Sequence, residues 1–149
     1  RNNFSKAVFE LNKIGNVSKI ANIYKSKPYG YLKQNFFYNT IVYLKSEILP
    51  NDLIKKIRLI EKKLQKNKRI INGPRKIDLD IIFWDQKKFK NNNLIIPHPR
   101  AQERDFVLFP LLDIAPFFRD PTSKLTVKEL IKNLKDQYII EKLSYRNLF

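Results

Sequence analysis

Asp78 and Asp80 stand two residues apart in the stretch Asn72-Gly73-Pro74-Arg75-Lys76-Ile77-Asp78-Leu79-Asp80-Ile81-Ile82-Phe83-Trp84. Asp is disfavoured in strands, so two of them at the mouth of an apolar run need a reason. On a strand, residues i and i+2 share a face, which puts Asp78 and Asp80 on one side and Leu79 and Ile81 on the other. Two carboxylates so placed could ligate one metal ion or a metal pair, and hard oxygen ligands suit Mg²⁺ carrying phosphate. The spacing alone leaves a second possibility open, a solvated strand start whose two Asp residues face water.

Further groups of the same chemical kind lie near by in sequence. Arg75 precedes Asp78 by three residues, and 62–69 is a basic stretch that includes Lys66 and Lys68. Pro97-His98-Pro99-Arg100-Ala101-Gln102-Glu103-Arg104 supplies the only His and two more Arg. Carboxylates among guanidinium groups and a His fit phosphoryl transfer, where positioning and charge neutralisation do most of the catalysis. His98 alone would equally fit a surface turn, and the two arginines a solvated face. With only three Gly and neither GxxxxGK[ST] nor GxGxxG, a backbone phosphate cradle is not expected. A second cluster is Gln34-Asn35-Phe36-Phe37-Tyr38-Asn39, with Phe106 far along the chain. An Asn in an apolar strand is costly unless hydrogen-bonded, so Asn39 beside Phe37 suits a flat, polar-edged heterocycle. Core packing is the competing account of both Phe residues.

The elements that must carry these groups follow from periodicity. Residues 3–14 have Phe4, Ala7, Val8, Leu11 and Ile14 at helical spacing, and Gly15-Asn16 ends that helix. A short strand is expected over 17–24, a loop over 27–35 with Pro28 and Gly30, and a β-branched, aromatic strand over 36–44. Pro50 opens a second helix to about Gln65, with Leu53, Ile57, Ile60 and Leu64 on one face. Residues 77–84 form the third expected strand, 85–93 a polar connection, 94–96 a short strand and 97–99 an extended turn. Residues 106–114 are strongly apolar, 127–134 read as a third helix and 138–143 as a last strand. The order is αββαβ with a helix-containing tail, and one further strand before Arg1 would make it βαββαβ, the ferredoxin-like arrangement.

At 149 residues and 43% hydrophobic content, the chain fits one globular domain, 1–149. Eleven Phe and seven Tyr argue against disorder. No apolar run is long enough to span a membrane, and the absence of Cys excludes disulfides and thiolate metal sites. The net charge of +16 would attract nucleic acid, an acidic membrane or a polyphosphate. Because the lysines are spread along the whole chain, solvent-facing charge from a Lys-, Asn- and Ile-rich composition is the favoured account.

Three blocks together resemble the 6-hydroxymethyl-7,8-dihydropterin pyrophosphokinase family. They are Gly30-Tyr31-Leu32-Lys33-Gln34-Asn35-Phe36-Phe37-Tyr38-Asn39, then Gly73-Pro74-Arg75-Lys76-Ile77-Asp78-Leu79-Asp80, then Pro97-His98-Pro99-Arg100 through Arg104-Asp105-Phe106-Val107-Leu108-Phe109-Pro110-Leu111. The similarity runs from about Arg1 to Pro116. It implies a ferredoxin-like α+β sandwich with C-terminal additions, and transfer of pyrophosphate from ATP to the pterin hydroxymethyl group with AMP as leaving group. Asp78 and Asp80 match the carboxylates that hold two Mg²⁺ ions. Phe37, Asn39 and Phe106 match the pterin pocket, and residues 26–29, from Ser26 to Tyr29, match a loop adding backbone hydrogen bonds. Arg75, His98 and Arg104 match ATP-binding groups. Lys66 and Lys68 fall where the family has arginines on a mobile catalytic loop; Lys keeps the charge but lacks the planar fork.

The resemblance further implies a cytoplasmic protein acting on two small molecules, with neither nucleic acid nor membrane as partner, a monomer being expected and an oligomer left open. The family's opening strand and Gly-Ser-Asn turn are not in this chain, which starts with Arg, so the expectation is a sequence trimmed at its start and a fold lacking its first strand. Two alternatives stand beside the enzyme: a basic ferredoxin-like module that binds nucleic acid, and a family member that keeps the fold without activity.

Overall fold

Four short strands make one long, interrupted antiparallel hairpin in the computed structural model, which describes residues 2–28, 35–65 and 77–148. Strand β1 (Asn16–Ile20) pairs with β4 (Val42–Lys45), and β2 (Ile23–Ser26) with β3 (Phe37–Asn39). The sequence reads as one strand on each side of this hairpin, and each is broken in the middle. At the break Ala21 N–H still donates to the Ile41 carbonyl at 2.9 Å. The Thr40 hydroxyl meets the carbonyls of both Ala21 and Asn22 at 3.1 Å, filling the interruption with a side chain. Strand β7 (Ile139–Leu143) joins the other edge of β2, giving the order β3-β2-β7.

Helix α1 (Asn2–Leu11) and helix α2 (Pro50–Gln65) cover one side of the hairpin. Their apolar stripes meet where Leu11, Leu53, Ile57 and Ile60 pack with Val17, Val42 and Leu44, the burial that stabilises an amphipathic helix. Gly15, in the turn from α1 into β1, allows this approach: a Cβ there would lie 2.6 Å from the Lys45 carbonyl oxygen. Helix α3 (Asp105–Ile114) packs on β2 and β3 and on α4 (Val127–Lys132). It buries Val107, Leu108, Pro110 and Leu111, which is why its sequence is apolar without a clear period. A two-residue hairpin of β5 (Phe89–Lys90) and β6 (Ile95–Ile96) closes a second apolar cluster around Ile54.

Residues 77–84 depart from expectation. They carry no strand ladder among the described residues, although the start of the segment keeps the burial alternation of a strand: Ile77 is buried, Leu79 half-buried, and Asp78 and Asp80 exposed. Backbone groups need partners whatever the periodicity says, and here several of them come from side chains. The architecture is mixed helix and sheet, α+β. Among the described residues, no helix is long and apolar enough to cross a membrane.

Candidate active site

Leu79, between the two carboxylates, is gripped from α2. Glu61 accepts the Leu79 N–H at 2.7 Å, and Arg58 donates to the Leu79 carbonyl at 3.1 Å. Arg58 and Glu61 pair with each other at 2.9 Å. One turn on, the Gln65 amide donates to the Ile77 carbonyl at 3.2 Å. Positions 58, 61 and 65 recur on one helix face, so α2 presents a row of side chains to this stretch of backbone. With Leu79 and Ile81 packed against the core, Asp78 and Asp80 are left facing solvent on an anchored segment. The second guanidinium nitrogen of Arg58 lies 3.9 Å from Asp80 Oδ1.

The far end of the segment meets the Pro97-His98-Pro99 turn, where His98 N–H donates to the Ile82 carbonyl at 2.8 Å. His98 Nδ1 accepts the Arg100 N–H at 3.1 Å, which leaves Nε2 to carry the proton of a neutral ring. Burial, reinforced by the Arg104 charge, lowers the His98 pKa against the opposing pull of Asp80. The imidazole is therefore neutral at pH 7, a hydrogen-bond donor without net charge. Burial and the Arg100 charge likewise lower Arg104, with Asp80 and Glu103 opposing; as a guanidinium it stays charged. His98 and Gln102 also line a cleft of about 460 Å³ with Phe83, Phe89, Ile96 and Asp120.

The aromatic and amide residues form the other side. Cross-strand partners point to one face, and Asn39 stands opposite Tyr24, Phe37 opposite the buried Ser26. Tyr24 faces α3: its hydroxyl donates to Asp113 at 2.9 Å and its ring lies 6.4 Å from Phe109. Asn39 and Phe37 are thus on the side of the sheet covered by α3, whose first turn carries Phe106. Arg104 links the two halves, with its guanidinium carbon 5.7 Å from the Phe106 ring centroid while Asp80 acts on its charge.

The structure therefore brings Asp80, His98 and Arg104 into one electrostatic neighbourhood and puts Phe37, Asn39 and Ser26 on the side of α3. Tyr29, Lys66, Lys68 and Arg75 lie outside the described residues. No group of three or more His, Asp or Glu able to hold a metal ion occurs among the described residues. Sequence reasoning missed Glu61, which matters because it holds Leu79. The signal was present: Glu61 sits one turn after Ile57 beside Ile60, a carboxylate at the border of an apolar stripe.

Fold and site together define a class, a small α+β domain whose side chains suit an anionic ligand on one side of Arg104 and a flat ring on the other. The chain belongs to the 7,8-dihydro-6-hydroxymethylpterin-pyrophosphokinase (HPPK) family, whose model matches residues 1–116. It is 35% identical over 124 residues to the 2-amino-4-hydroxy-6-hydroxymethyldihydropteridine pyrophosphokinase of Aquifex aeolicus, covering 83% of this chain and 78% of that protein. To the Bacillus subtilis protein of the same name it is 35% identical over 122 residues, 81% of this chain and 73% of that one. Similarity extends to the Folic acid synthesis protein fol1 of Pneumocystis carinii, 41% identical over 123 residues, 83% of this chain; there the match spans only 17% of the relative's length.

Proposed function

We propose that this chain transfers the terminal diphosphate of ATP to the hydroxymethyl oxygen of 6-hydroxymethyl-7,8-dihydropterin, in folate biosynthesis. The hydroxymethyl oxygen attacks the β-phosphorus of ATP and forms the new P–O bond. The bond from that phosphorus to the α,β-bridging oxygen breaks. AMP departs with the bridging oxygen and its electron pair, and the hydroxyl proton passes to solvent. Family membership supports this reaction, and the observation that carries it to particular residues is Arg104, whose guanidinium lies 5.7 Å from the Phe106 ring and feels the charge of Asp80.

On this reading Arg104 and neutral His98 bind ATP phosphate oxygens, the first by charge and the second through its Nε2 proton. Arg75, Lys66 and Lys68 are proposed for the same work from their sequence positions. Asn39 hydrogen-bonds the pterin edge, Phe37 and Phe106 cover its faces, and Ser26 and Tyr29 belong to the loop that borders it. The donor set at Asp78 and Asp80 fits Mg²⁺: two exposed, hard carboxylates on an anchored segment, in a chain with neither Cys nor Met. These two residues would hold a pair of Mg²⁺ ions, which when bound neutralise phosphate charge and so ease approach of the hydroxymethyl oxygen. With each broken side of the hairpin counted as one strand, the order helix, strand, strand, helix over α1 to α2 supports a ferredoxin-like sandwich, and the proposed setting is a cytoplasmic monomer. A nucleic-acid-binding role is not favoured, because the exposed Asp pair would repel a phosphate backbone.

Incubating the full chain with MgATP and the hydroxymethyl dihydropterin is expected to yield AMP and pterin diphosphate in equal amounts. Absence of AMP would overturn the assignment. Asp80→Ala is expected to lower turnover at least about a hundredfold while pterin binding is largely retained, and unchanged turnover would remove Asp80 from the metal site.

A further inference from the structure

Residues beyond 116 lie outside the family match, yet one of them reaches both halves of the aromatic side. Tyr138, just before β7, has its backbone tied in two directions. Its N–H donates to Asp105 Oδ2 at 2.8 Å, and the same oxygen takes the Ile139 N–H at 2.9 Å. Its carbonyl accepts the Lys27 N–H at 2.8 Å, immediately after β2. Its ring meets Phe106 edge-on, with centroids 6.0 Å apart and planes at 74°. Asp105 is the first residue of α3 and is 2% exposed, so the carboxylate that receives the two amides is itself fixed in the core. The β2–β7 register shifts between Lys25 and Ser26, with Ile140 as the extra residue on the β7 side, so the ladder is irregular next to Tyr138.

We propose that Tyr138, held by Asp105, is a positioning residue that fixes the Phe106 ring relative to the Ser26–Lys27 end of β2, and thereby sets affinity for the pterin. The proposal rests on the reading of Phe106 and Ser26 as pterin-side groups. Edge-to-face contact favours one orientation of Phe106, while the two backbone hydrogen bonds hold α3 and β2 at a set separation. A ligand lying across Phe106 meets a preorganised wall and loses less freedom on binding. The carboxylate pair, 25 or more residues away in sequence and held from α2, is not touched by this arrangement; ATP meets the arrangement only through Arg104, which lies beside Phe106, so pterin binding should depend on it much more than ATP binding does.

The test uses the full chain and measures pterin affinity by ligand fluorescence, KM for each substrate, and thermal melting. Tyr138→Leu keeps an apolar side chain but loses the ring edge, and it should weaken pterin about tenfold with a much smaller change in KM for ATP. Tyr138→Phe should restore pterin affinity, because the edge and the backbone bonds remain. Should Tyr138→Leu melt too low to assay, Asp105→Asn supplies the second measurement: it keeps an acceptor oxygen but loses the charge, and should weaken the pterin selectively. Equal weakening of both substrates, or of neither, in a folded variant would overturn the positioning role. A wild-type chain that binds ATP and fails to bind the pterin would overturn the functional reading itself, and this proposal with it.

Discussion

Glu61 is a carboxylate at 7% exposure, a position that costs free energy unless the group is paired. Its partners are the Leu79 amide and Arg58, so the same two contacts that stabilise Glu61 also hold the backbone from which Asp78 and Asp80 project. Glu61→Ala would leave the Leu79 N–H without its acceptor and Arg58 with only the more distant Asp80 carboxylate at 3.9 Å. The expected loss is about 3 kcal/mol of stability, read by urea unfolding. In the fraction that remains folded kcat should fall more than pterin affinity does, because the carboxylates are displaced and the aromatic side is not. A variant with wild-type kcat would show that the α2 grip does not position the pair.

At the scale of elements, α2 was legible from its stripe: Leu53, Ile57, Ile60 and Leu64 predict a helix over 50–65, and the helix spans Pro50–Gln65. The strands were legible as regions and not as ladders. Alternation reports which face of a segment is dry, and it is silent on what receives the backbone hydrogen bonds. That is why 77–84 keeps alternating burial at its start without a strand partner among the described residues, and why Thr40 can interrupt the hairpin. The apolar run at 106–114 has no period to read, because the helix it forms is dry on most sides. Helix α4 is short and depends on its cap: Thr126 accepts the Glu129 N–H at 3.2 Å while Glu129 accepts the Thr126 N–H at 3.3 Å. Thr126→Ala removes half of this box and should cost about 1 kcal/mol, measured by thermal unfolding. No loss would mean that packing against α3 alone forms α4.

For the whole molecule, the excess of positive charge makes acid the sensitive direction. Burial lowers His98, so the unfolded chain binds that proton more readily; stability from His98 is present above its ordinary value of 6.5 and falls as pH drops below it. Burial raises Asp120, but the Ser123 hydroxyl, the Thr122 and Ser123 amides and Gln102 outweigh it and hold the carboxyl below its ordinary 3.8. Its contribution is present above that value and is lost as pH falls through the lower, folded one. Both slopes have the same sign, and protonating carboxylates adds to the self-repulsion of a +16 chain. Urea midpoints measured from pH 8 to 3 should decline below about pH 6.5 and again below 4. In His98→Gln the first decline should disappear and the second remain; an unchanged first decline would mean another group causes it.

What the sequence determined by itself was chemistry and membership: the Asp78/Asp80 pair, the His98 and Arg104 block and the Phe37/Asn39 cluster are local patterns, readable because residue type and spacing along one segment are enough to define them. What only the tertiary structure decided was how those patterns are held and joined. Glu61 and Arg58 grip Leu79 from a helix 18 or more residues upstream, Arg104 spans the carboxylate and aromatic sides, and Tyr138 reaches Phe106 from beyond the family match. Such contacts join backbone amides and ring edges across distant segments. They depend on where the chain returns in space, and no spacing along the chain encodes that return.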